Sequence, residues 1–119
     1  MKTDNVIVDK SKLFAVRIIN LYKYLCDEKK EFVLSKQVLK SGTSIGANVK
    51  EAVRAESKSD FVHKMNISLK EASETEYWLE LLAETDYISA QQFQSINNDC
   101  TELIKLLTAI VKTSREEGM

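Results

Sequence analysis

The segment FVHKMNISLKEASETEYWLELLA, Phe61 to Ala83, contains no proline or glycine and is apolar at the spacing of one helix face. Phe61, Met65, Leu69, Ala72, Leu79 and Ala83 recur at steps of three, four and seven residues, with Glu76 in the middle of the stripe. A strand would alternate every second residue, so this spacing predicts a helix over 59–86. Ser57 with Asp60 three residues on, or Ser59 itself, supplies a start signal. Ile67, Trp78, Leu81 and Leu82 lie off that stripe. A helix that is apolar on two sides usually has two partners, so Ile67, Trp78, Leu81 and Leu82 are candidate contacts between copies of the chain.

Working outward, apolar spacing predicts three more helices. Phe14, Ile18, Leu21, Tyr22 and Leu25 mark one over 9–27, followed by the charged run Asp27 to Glu31, read as a solvated connection. Val38, Gly42, Ile45, Val49, Ala52 and Val53 mark another over 33–56. Ser89 and Gln92 have the spacing of a capping box ahead of Phe93, Ile96, Cys100, Leu103, Leu107, Ile110 and Val111, which predicts a helix over 89–117 stopped by Gly118. Short connections make sequential helices antiparallel neighbours. The expected fold is therefore all-α, a single 1–119 domain forming an up-down-up-down four-helix bundle.

Composition agrees with that reading. The 119 residues include no proline and three glycines, too few for the tight turns of a β fold, and 44% hydrophobic residues exclude a wholly disordered chain. The net charge of -1 and a pI near 5.9 mean that bulk charge does not draw the molecule to nucleic acid or anionic membrane. No apolar run reaches the roughly 18 residues of a membrane span. Cys26 and Cys100 lack CxxC spacing and read as free thiols of a cytoplasmic protein.

Charge is unevenly distributed. At 100° per residue, Lys36, Lys40, Lys50 and Arg54 fall within an arc of about 80° on the second helix, with Thr43 and Ala47 in the same row and no acid among them. They form a stripe roughly 27 Å long that could follow a phosphate backbone, and they are the candidate nucleic-acid-binding residues. The third helix carries Asp60, Glu71, Glu74, Glu76, Glu80, Glu84 and Asp86 against Lys64 and Lys70, seven acids less two bases, or -5. Such opposite fields can also pair with each other. Gly42 and Gly46 remove two side chains from one helix side and allow a close helix approach, so both join the candidate contacts between copies. Glu76 in an apolar stripe calls for partners such as Ser44, Asn48 or Arg17, a candidate buried polar network.

Nothing points to catalysis or a cofactor. A di-iron bundle needs two Glu-x-x-His motifs and this chain has one histidine, His63; a lone His with two core-facing Cys gives no nucleophile and base. Expected metal and cofactor sites are therefore none, and the chain reads as a non-enzyme.

The block Lys40 to Ala52, KSGTSIGANVKEA, together with SDF at 59–61, Lys64 and the run LKEASETEYWL at 69–79, resembles the bacterial proteins called 23S rRNA intervening-sequence proteins. The resemblance extends over nearly the whole chain. It implies an antiparallel four-helix bundle that assembles as a homopentamer, with a coding sequence often found inside an insertion in the large-subunit rRNA gene. The accessory proteins of diversity-generating retroelements look like the same bundle, and that similarity implies binding of nucleic acid and a reverse transcriptase through a basic surface. Together these imply a non-enzymatic homo-oligomeric scaffold or adaptor, with structured RNA or a nucleic-acid enzyme as candidate partner at Lys36, Lys40, Lys50 and Arg54. The alternative is a protein-only module whose basic and acidic faces pair between subunits.

Overall fold

The computed structural model describes residues 2–117, with side-chain environments described from Val6 onward. It contains four helices, α1 (Lys2–Asp27), α2 (Leu34–Val53), α3 (Lys58–Glu84) and α4 (Ala90–Glu117), and no strand among the described residues. Each helix packs on its neighbours in sequence, and α4 closes the ring against α1 along the least extensive seam. The result is an all-α bundle with extents of 48 × 21 × 20 Å.

Most helix ends follow from identifiable caps. Ser57 Oγ accepts the Asp60 amide at 3.0 Å, which selects Ser57 over Ser59 as the start of α3. Ser89 and Gln92 close a reciprocal capping box at α4: the Gln92 amide donates to Ser89 Oγ at 3.1 Å, and the Ser89 amide to Gln92 Oε1 at 2.7 Å. At the end of α3, Asp86 turns left-handed at φ 66°, its amide reaching Ala83 O while Tyr87 N reaches Leu82 O. This is a Schellman stop, with aspartate where glycine is commonest. Gly118, expected to stop α4, lies outside the described residues.

Two boundaries differ from the sequence expectation. Helix α1 starts at Lys2, well before Asp9, and Ile7 extends the stripe of Phe14, Ile18 and Leu25 by two turns. Helix α2 stops at Val53, short of Glu56, because the Arg54 amide bonds back to Glu51 O in a tighter turn and leaves Arg54 at the cap.

The connection between α1 and α2 is also more than a solvated linker. Glu31 turns inward, and its carboxylate accepts the amides of Val33 at 3.2 Å, Leu34 at 3.0 Å and Ser35 at 2.7 Å. Burial alone would raise its pKa, yet the three amides and the Ser35 hydroxyl outweigh burial and hold the carboxyl below the usual glutamate value.

The core is built from one face of every helix, including Phe14, Ile18, Ile45, Met65, Leu79 and Leu107. Helices α1 and α2 pack tightly at Gly42 and Gly46. A Cβ on Gly42 would lie 2.7 Å from Ile18 Cγ1, and one on Gly46 would lie 3.3 Å from the Ser11 carbonyl oxygen. The glycine pair, expected to serve contact between copies, is thus spent inside one chain. Buried polar ties join α2 to α3: Ser68 Oγ donates to Ile45 O at 2.8 Å, and Thr75 Oγ1 lies 2.9 Å from Ser41 Oγ.

Candidate nucleic-acid interface

Helix α2 buries Ser35, Val38, Ser41, Gly42, Ile45, Val49 and Ala52, so the opposite side must face solvent. Lys36, Lys40 and Lys50 stand on that outward ridge, with Arg54 at its end, and all four are exposed. Among the described residues none of the four enters an ion pair. Lys64, across the α2–α3 seam, instead takes Glu51 at 3.0 Å, and its ammonium helps line a groove beside Lys50 and Arg54 that also holds Asp60. Lys40 lies close enough to Glu71 to pull that carboxyl's pKa down, but burial and neighbouring Glu74 dominate and leave it raised.

Phe32 is half-exposed in the connection, two residues before α2 begins and four residues before Lys36. An aromatic ring beside a basic row is a stacking position for an unpaired base. Sequence reasoning missed Phe32 because it sits in the connection, outside any periodic stripe. A cleft between α1 and the start of α4, about 470 Å³ and bordered by Asn20, Tyr24 and Gln92, also carried no sequence signal. Its one charged group, Arg17, is already tied to Asp99 at 2.8 Å and to the Ser95 carbonyl at 3.2 Å.

The expected polar network around Glu76 does not form. Glu76 faces α4, where Thr101 Oγ1 lies 3.5 Å from Oε2, whereas Ser44 donates to Lys40 O and Asn48 to Ser44 O within α2. The carboxylate beside Ser44 is Glu71, and Arg17 serves α4. Five residues separate Glu71 from Glu76, a rotation of about 140° on the helix, which sends the two carboxylates to opposite seams.

The expected contact residues on α3 also divide. Leu82 is fully buried in the chain's own core, which removes it from any surface. Ile67, Trp78 and Leu81 remain partly exposed, and Trp78 Nε1 donates to Glu74 at 3.0 Å. Cys100 is buried, donates to Ala72 O at 3.3 Å and has its thiol pushed up to about 12 by burial and then by Glu76, so it is chemically inert. His63 is exposed. No cluster of three or more metal-ligating side chains occurs among the described residues, and none of their helices is long and apolar enough to cross a membrane.

The family model for the 23S rRNA-intervening sequence protein matches residues 3–109. The chain belongs to that family. No curated protein matches it. A crystal structure described as a protein of unknown function from the S23 ribosomal protein family of Bacteroides thetaiotaomicron VPI-5482 is 64% identical to this intervening-sequence protein. The match covers 92% of this chain and 98% of the other at a TM-score of 0.91, so the four-helix arrangement is shared throughout.

Proposed function

We propose that this intervening-sequence protein is a non-enzymatic, homo-oligomeric scaffold that binds structured RNA through the α2 ridge of Lys36, Lys40, Lys50 and Arg54. The observation that carries the reading is that ridge: four exposed cations in an acid-free row about 27 Å long, none of them in an ion pair among the described residues. Phe32 at its head adds a stacking position. The family resemblance gives five as the number of copies, and a ring of copies would present the ridge several times over, multiplying weak contacts. The free thiols of Cys26 and Cys100 suit the reducing cytoplasm.

The test is retention of a structured RNA in a gel-shift assay with salt titration. Replacing all four cations with Gln should abolish retention while leaving the oligomer intact. Single replacements should each flatten the log-affinity versus log-salt slope by about 0.7 to 0.9. Retention that ignores salt, or that survives the fourfold replacement, defeats the reading. The acidic bias of α3 favours a second reading, in which the basic and acidic faces join copies and no nucleic acid is bound. Under it the same replacement dissociates the assembly, and an unchanged mass in light scattering rules it out.

A further inference from the structure

Helix α1 carries an unpartnered apolar face outside everything assigned above. Leu13 is 67% exposed, Val16 50% and Ile19 38%, all on the side of α1 turned away from Ile18 and Phe14. Lys12 and Lys23 flank them, with Asn20 between and Asp9 at the lower end. Diagonally across the bundle, α3 presents Tyr77, 54% exposed, its ring tilted at 59° against the partly exposed Trp78 with centroids 5.4 Å apart. Leu81 adjoins this pair, and Glu74, Glu80 and Glu84 surround it, with Lys70 the base below.

We propose that the Leu13–Val16–Ile19 face of α1 docks on the Tyr77–Trp78–Leu81 face of α3 in a second copy of the chain, head to tail. The proposal rests on the self-association reading above and specifies which surfaces carry it. Charge decides the pairing. Two α1 faces brought together by a two-fold axis would oppose lysines to lysines, and two α3 faces would oppose glutamates to glutamates. The mixed pairing sets Lys23 near Glu80 and Glu84 and covers apolar surface on both sides.

Geometry permits it. A Cβ on Gly42 would touch Ile18, and Ser41 bonds Thr75, so Ile19 and Tyr77 sit at nearly the same height on parallel helices. Two different patches at one height on opposite sides give each copy one neighbour on each side, the arrangement that closes into a ring when the rotation permits. A side 48 Å long and about 20 Å wide is large enough for the roughly 800 Å² per partner of a standard interface. The α2 ridge stays exposed in every copy.

Mass by light scattering and emission of the single tryptophan, Trp78, test the pairing. Val16→Glu should reduce the assembly to the 13.6 kDa chain and shift Trp78 emission to the red, with helix content by circular dichroism unchanged because Val16 is half-exposed and lies outside the core cluster. Lys23→Glu alone and the double change Glu80→Lys, Glu84→Lys should each weaken assembly at least tenfold, and combining them should restore it. A wild-type chain that is monomeric at high concentration overturns self-association itself. A wild-type oligomer whose mass and emission survive Val16→Glu, or charge variants that fail to rescue one another, overturns only this pairing. Disulfide-linked dimers of Ile19→Cys with itself, in a Cys26→Ser background, also overturn it in favour of a two-fold contact.

Discussion

Glu31 and Gly42 show how single side chains set the geometry of the bundle. Three amide hydrogens converge on the Glu31 carboxylate, which does the work of a cap and places a negative charge at the positive end of α2. Glu31→Gln should lower stability by about 1–2 kcal/mol at pH 7 in urea denaturation. The folded pKa lies below the unfolded value of about 4.3, so this stabilisation is fully present above that pH and is lost as pH falls through the folded value. Wild type and Glu31→Gln should therefore converge in stability toward pH 3; a gap as wide at pH 3 as at pH 7 contradicts the assignment. Gly42→Ala gains about 1 kcal/mol of helix propensity but forces the stiff Ile18 side chain, 2.7 Å away, out of place. Overpacking of this kind costs about 1–3 kcal/mol. A net loss is expected, relieved by pairing with Ile18→Val, and additivity of the two changes would count against the contact.

At the starts of α3 and α4, short-range capping signals and structure agree closely. The Ser89–Gln92 box satisfies two orphan amides, so Ser89→Ala should cost about 1 kcal/mol and increase hydrogen exchange in the first turn of α4. Protection that does not change there would mean that packing alone holds the turn. Lys30 adopts φ 52° ahead of α2, a conformation glycine takes without strain. Lys30→Gly should raise the thermal midpoint, by an amount corresponding to about 0.5–1 kcal/mol, and a lowered midpoint would place the strain elsewhere. The seams between helices show where periodicity stops being informative. Glu76 alone interrupted the apolar stripe of α3, but only the packed bundle shows that it faces α4 and that the carboxylate beside α2 is Glu71.

Across the whole molecule, exposed apolar area lies mainly on α1, not on α3 as periodicity suggested, because Leu82 goes into the core while Leu13 and Val16 stay out. If copies cover one another there, folding and assembly are linked by mass action. The thermal midpoint should then rise with protein concentration over a hundredfold range, and a flat midpoint argues for an independent monomer. Adding the RNA should raise it further at low salt and much less at high salt, since phosphate contacts are screened.

The amino-acid order was enough to fix four helices, their approximate limits, the capping of α3 and α4 and the outward basic row of α2, because each depends on neighbours within a few positions along one chain. It was also enough for the family resemblance. It could not say which helix retains unburied apolar surface, that Gly42 and Gly46 receive α1 of the same chain, or that Glu31 turns inward. Those outcomes depend on the rotation of each helix about its axis and on which neighbour fills which groove. Packing at interior density settles them jointly, with no trace in any one local pattern.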